Sequence, residues 1–143
     1  MRFKTALLSL TAVCLLAANS SAADVQQLTT PDGVRFAILG EKPQSPAPTL
    51  LIFGGARSET LLGEDVNRIG RLMADDGYLS VSLDIPCHGD DVRPGEEAGL
   101  TAWRDRVVKG DDLLGPFTAN VTKVLDHLIA ERYTDPQLSL IHI

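Results

Sequence analysis

The stretch Thr49–Ile85, "TLLIFGGARSETLLGEDVNRIGRLMADDGYLSVSLDI", decides the fold. It opens on an unbroken apolar run, Thr49–Phe53, set between Pro48 and Gly54. A run of that length without polar alternation suits a strand covered on both faces, as in a parallel sheet. Val66, Ile69, Leu72 and Met73 then recur at the spacing of one helical face, and Gly77 stands where a helix end needs positive φ. In Tyr78–Ile85, the apolar residues Leu79, Val81, Leu83 and Ile85 alternate as in a strand. Strand, helix and strand in this order predict a parallel, right-handed βαβ unit.

Upstream, "VRFAILG" (Val34–Gly40) reads as a strand, and the Pro-rich "EKPQSPAP" as an irregular connection. Downstream, a polar region rich in Gly, Pro and acids runs to about Gly99. "LTAWRDRVVKG" is a short helix candidate, and its Trp103 either packs or lines a cleft. "GPFTANVTKVLDHLIAERY" is a stronger helix, with Pro116 in its first turn. Its apolar stripe is Phe117, Val121, Val124, Leu125, Leu128 and Ile129, which leaves His127 on the polar side as a solvated surface residue. "TDPQ" breaks that helix, and "LSLIHI" (Leu138–Ile143) reads as one more strand. The alternation predicts an α/β fold with a mostly parallel sheet and flanking helices.

The 143 residues, 44% of them apolar, suffice for one small domain with a real core. The first 22 are not expected to belong to it. Arg2 and Lys4 precede an apolar run from Ala6 to Ala18 and then "SSAA", the layout of a secretory signal peptide cleaved after Ala22. The run falls short of the roughly 20 apolar residues a membrane span needs. Val13, before Cys14, is not the small residue expected ahead of a lipidated cysteine. The protein is therefore expected to be secreted or periplasmic, with no membrane association after cleavage. Loss of Arg2 and Lys4, with no acid lost, takes the formal charge from −6 to −8. An acidic surface disfavours nucleic acid and anionic lipid as partners. Cys87 is then the one remaining cysteine, which excludes an internal disulfide and a structural zinc site. No cofactor is expected.

In parallel sheets, function gathers where loops leave the carboxyl ends of strands. The first such loop is "FGGARSE", where Gly54 and Gly55 let backbone amides turn toward a ligand and cradle a developing oxyanion. The same pair also fits a plain tight turn. It has neither the dinucleotide G-x-G-x-x-G spacing nor the Gly-Lys-Ser/Thr of a P-loop. The second loop, "DIPCHGDD", admits three readings. Asp84, His88, Asp90 and Asp91 could ligate a hard cation. Cys87 and His88 could form a nucleophile pair, although neighbours on an extended backbone point apart. Or the loop is a structural turn, with Pro86 and Gly89 shaping it and Asp84 and His88 hydrogen-bonded within it.

Together the two loops resemble the α/β-hydrolase superfamily. "TLLIFGGARSE" is similar to its third strand and oxyanion loop, where many members have His-Gly in place of Phe53-Gly54. "GYLSVSLDIPCHGDD" is similar to its fourth strand and the Asp-x-x-Gly-His-Gly-type turn after it. The resemblance covers about Val34 to Gln137 and is nearest to secreted esterases and peptidases of the dienelactone-hydrolase and prolyl-oligopeptidase type. It implies that the amide of Gly55 or Ala56 is half of an oxyanion hole. It also implies that Asp84, Pro86, His88 and Gly89 are scaffold of the turn, with no metal. Cys87, at a position often Gly in relatives, is then a free, partly buried thiol. The implied substrate is a small-molecule carboxylic ester or a peptide.

That chemistry needs a Ser nucleophile, a His base and an acid. In this fold the Ser lies in G-x-S-x-G on the turn after the fifth strand. No G-x-S-x-G occurs in these residues, so no catalytic residue is encoded. "LSLIHI" resembles the translation of a transposon end used to tag sequencing libraries, so Leu138–Ile143 is expected to be a non-native tail and His142 no catalytic base. Residues 23–137 are then the N-terminal half of a hydrolase domain, truncated before the nucleophile elbow. Alone it should be inactive and poorly stable, with a sheet edge and an apolar face uncovered. The rival readings are a non-catalytic, flavodoxin-like binding module, whose phosphate-gripping loop would have only Arg57 as a cation, and a divalent-metal hydrolase built on Asp84, His88 and Asp90.

Overall fold

The computed structural model describes residues 24–137, and 140–142 in their backbone. The proposed signal peptide lies outside these residues. Five strands form one sheet in the order β1-β2-β4-β3-β5. They are β1 (Val25–Thr29), β2 (Arg35–Leu39), β3 (Thr49–Ile52), β4 (Leu79–Ser82) and β5 (Leu140–His142). β3 runs parallel to both β4 and β5, as the βαβ spacing requires. β1 and β2 form a hairpin that joins antiparallel beside β4, so parallel pairing is confined to β3, β4 and β5. Four helices flank the sheet: α1 (Arg57–Leu62), α2 (Arg68–Ala74), α3 (Leu100–Val108) and α4 (Leu114–Ala130). Among the described residues, no helix is long and apolar enough to cross a membrane.

All four residues of β3 and all four of β4 are buried. The sheet is covered on both sides there, and the side-chain alternation places partners on each. On one side Leu51 and Val81 join Phe36, Ile38, Leu79 and Leu83 in a cluster capped by Val124 and Leu128 of α4. Burying a side chain such as Leu128 stabilises the fold by roughly 1.5–3 kcal/mol. Phe53, just past β3, meets Phe117 in an edge-to-face contact at 5.2 Å, which ties that loop to the start of α4. Pro116 stands in the first turn of α4, where a missing amide costs nothing. His127 is half-buried and lies edge-on to Phe36 at 5.8 Å, so it is not the solvated residue that its place on the helical wheel implies.

On the other side, α1 packs against β1, β2 and β4, and α2 packs against β4. The helical pattern that Val66, Ile69, Leu72 and Met73 mark is shorter here, because Glu64–Asn67 form turns and only Arg68–Ala74 is helical. The periodic face is not the buried one either. Leu72 is 65% exposed and Val66 44%, while the fully covered residues of this segment are Asn67 and Gly70. α2 approaches the sheet through its smallest residue. A Cβ at Gly70 would overlap Asn67 Oδ1 and Ser80 Oγ and would lie 2.8 Å from Ile52 Cδ1. Gly77 has φ +81 and ends the helical segment as its position predicts.

This close approach has a measurable consequence. Gly70→Ala should destabilise the protein by about 1–3 kcal/mol, because overpacking outweighs the higher helix propensity of alanine. Urea denaturation with an unchanged m-value is the measurement, and a stabilised variant would contradict the packing.

Candidate functional site

The loops that leave β3 and β4 emerge on the same edge of the sheet because the strands are parallel neighbours. The first loop, Phe53–Ala56, turns directly into α1. Its carbonyl at Gly55 accepts a hydrogen bond from the Ile85 amide at 3.1 Å. One residue beyond Ala56, the Arg57 amide donates to Asp84 Oδ1 at 2.7 Å. The loop is therefore pinned to the β4 loop on both sides of Ala56. Between the pins, the amides of Gly55 and Ala56 donate to no acceptor among the described residues. Both residues are half-buried. Two adjacent donors without acceptors, on a fixed backbone, can bind an oxyanion.

The second loop is organised by carboxylates. Asp84 Oδ2 accepts from the Asp90 amide at 2.9 Å and pairs with the Arg57 guanidinium. A second nitrogen of Arg57 reaches Asp90 Oδ2 at 2.6 Å, and Arg35 meets the same oxygen at 3.1 Å. Gly89 has φ +53, and a Cβ there would lie within 2.5–2.6 Å of the Asp84 carboxylate. Pro86 is buried, and its carbonyl is bonded to His88 Nδ1 at 3.0 Å. The His88 ring lies beside both Gly55 and Gly99, with Cδ2 3.5 Å from a Cβ built at Gly55 and Nε2 3.6 Å from one built at Gly99.

These contacts bear on the other readings of the loop. Among the described residues, no group of three His, Cys, Asp or Glu side chains is placed to hold a metal ion. Asp84 and Asp90 are taken up by Arg57, and His88 faces a carbonyl with one ring nitrogen. Arg57 in turn spends its charge on those two carboxylates, so it is not available to grip a phosphate at "FGGARSE". Cys87 is fully buried with φ +67, and burial pushes its thiol above the ordinary value.

One ionic cluster centres on a residue that the sequence does not single out. Arg106 of α3 is 3% exposed and binds two acids of the β4 excursion. It donates to Asp91 Oδ2 and to the Asp91 carbonyl, each at 2.6 Å, and to Glu96 Oε2 at 2.6 Å. Asp91 Oδ2 also accepts from the Cys87 amide at 2.7 Å. Hydrogen bonding to Arg106 holds the Glu96 carboxyl down at about 2 from an ordinary 4.5 and raises the Arg106 guanidinium further. The signal for this residue is its place four after the buried Ala102 on α3, with acids in the preceding loop. Trp103 is half-buried and lines a separate cavity of about 260 Å³ with Val107, Leu113 and Leu114.

A cleft of about 410 Å³ lies beside Arg57, Asp84 and Pro86 and extends to Arg35, Phe117 and Lys123. Neither Gly55, Ala56 nor His88 lines it. The chemistry of the donor pair and the shape of the surface therefore point to adjoining places rather than to one.

No family model and no curated protein matches this sequence. Solved structures do. A dienelactone hydrolase-like promiscuous phosphotriesterase from metagenomic libraries matches with TM-score 0.51 and 20% identity, over 85% of this chain and 48% of its own. A cold-adapted esterase from an Arctic intertidal metagenomic library matches with TM-score 0.54 and 18% identity, over 82% and 47%. A Bacteroides fragilis protein assigned as an acetyl xylan esterase matches with TM-score 0.54 and 16% identity, over 94% and 42%. The chain thus has the α/β-hydrolase fold over its described residues, in partial form, and spans about half the length of these structures. The strands read in "TLLIF" and "YLSVSLDI" are β3 and β4, and "LSLIHI" contains the strand β5.

The Arg106–Glu96 pair sets a pH dependence. A carboxyl lowered on folding contributes stability above its unfolded value and loses it as pH falls through the folded one. Melting temperature should therefore drop between about pH 4.5 and pH 2. Glu96→Gln should flatten that part of the profile, and an unchanged acid limb would remove this pair as its cause.

Proposed function

We propose that this chain is the N-terminal half of a secreted serine hydrolase that cleaves carboxylic esters, with the Gly55–Ala56 amides supplying its half of the oxyanion hole. One observation carries the reading. Two neighbouring amides without acceptors follow β3, in a loop pinned on both sides, on the fold of known esterases. Backbone donors fixed before the reaction stabilise developing negative charge without reorganising, and each is worth about 10²–10³ in kcat.

The remaining groups would be supplied downstream of Gln137, with the nucleophilic Ser on the turn after the parent's fifth strand and the acid and His following it. Asp84 and His88 would then be supports of the loop and not members of the triad. The 143 residues alone should neither acylate nor turn over, because they can cradle an oxyanion that nothing in them forms. The leader-like first 22 residues support a secreted protein, and the net negative charge disfavours nucleic acid as a partner.

The test uses the reading frame that carries this segment, expressed in full. A fluorophosphonate should label one Ser within a G-x-S-x-G downstream of Gln137, and a chromogenic acetate should be hydrolysed. Ala56 has φ −68, which is the angle proline fixes, and its amide is not used by the fold. Ala56→Pro should therefore leave the melting temperature within a few degrees and lower kcat about 10²–10³-fold. Hydrolysis and labelling by the 143-residue chain itself would overturn the reading, as would full activity in Ala56→Pro.

A further inference from the structure

The geometry points to Arg57 as the positioning residue of the Gly55–Ala56 donor pair, an inference that rests on the hydrolase reading above. Arg57 follows the pair directly, and its side chain is 13% exposed. Its amide and all three guanidinium nitrogens bond to other segments. Its amide meets Asp84 Oδ1 at 2.7 Å, and one guanidinium nitrogen meets Asp84 Oδ2. A second nitrogen meets Asp90 Oδ2 at 2.6 Å, and Nε meets Gln27 Oε1 on β1 at 2.6 Å. One side chain thus ties the start of α1 to β1, to the end of β4 and to the one-turn helix Gly89–Asp91.

Only a planar fork with fixed donor directions can satisfy three acceptors on three segments together. A lysine would offer a single point charge in its place. The loop that benefits contains two consecutive glycines, which lose more conformational freedom on ordering than any other residue. Without the guanidinium, the loop keeps the Ile85 bond to Gly55 and the Arg57 amide bond to Asp84, but that carboxylate is then oriented by the Asp90 amide alone. Arg57 touches neither donor amide, so its role is to hold their directions. Arg35 provides the internal contrast. It binds Asp90 in the same cluster at 3.1 Å and makes no contact with the loop.

Nitrogen-15 relaxation on the full-length protein tests this without any turnover. The Gly55 and Ala56 amides should show order parameters near those of β3, about 0.85, and fall below about 0.6 in Arg57→Ala. Arg35→Ala should leave both unchanged. Millimolar methylguanidinium should restore the order in Arg57→Ala, which a packing role would not allow. Unchanged order in a folded Arg57→Ala overturns the inference, and so does a loss that methylguanidinium does not reverse. Should Arg57→Ala fail to fold, Arg57→Met keeps the aliphatic stem and answers the same comparison. Because the readout is local order, an inactive full-length protein with a loosened loop sinks the hydrolase reading alone. An active one whose loop ignores Arg57 sinks this inference alone.

Discussion

The carboxylate of Asp84 couples two loops that lie 27 residues apart in sequence, since one oxygen receives the Arg57 amide and the other the Asp90 amide and the Arg57 guanidinium. Both ions are nearly covered, with side chains 9% and 13% exposed. Taking a carboxylate and a guanidinium out of water costs several kcal/mol per ion, and the cost is offset only where the remaining lone pairs and protons also find partners. That condition explains why the cluster is so densely bonded. It also explains the glycine at position 89, because a side chain there would displace the carboxylate from its amides. The parallel pairing of β3 and β4 brings the loops together, and this ion pair converts nearness into a fixed distance. The unpaired amides of Gly55 and Ala56 have a defined place only because of it.

Much of this was legible in the residues themselves. The apolar run of β3 and the length of the crossover were enough for the parallel unit, since a strand buried on both faces has few other homes. Gly77 and Pro116 marked helix ends through backbone geometry, which tertiary packing rarely overrules. The face of α2 was misread because the rule that large apolar residues point inward presumes room for them. At Gly70 the backbone itself lies against Ser80 and Ile52, and Leu72 is turned out. β1 went unread because "VQQLT" has little apolar content. It is an edge strand with two glutamines, one of which serves Arg57. The loops at the site were legible as loops, and Asp84 as a hydrogen-bonding residue. The identity of its main partner was not, because an ion pair between distant segments leaves no periodic trace in the sequence.

The turn after β4 shows how far electrostatics overrides local preference here. Cys87 holds a positive φ, a conformation that costs a residue with a side chain about 1–3 kcal/mol and survives only where its surroundings over-determine it. Both of its backbone groups are engaged: its amide donates to Asp91 Oδ2 at 2.7 Å, and its carbonyl accepts from Gly99 at 2.8 Å. Asp91 is itself held by the buried Arg106, whose other arm grips Glu96. A buried guanidinium stripped of one acid is left with an uncompensated charge, so the network resists piecemeal change. The strained residue is therefore a consequence of the acids around it. Arg57 and Arg106, which neutralise this acidic excursion, fix the path that sets His88 against the Gly55 loop.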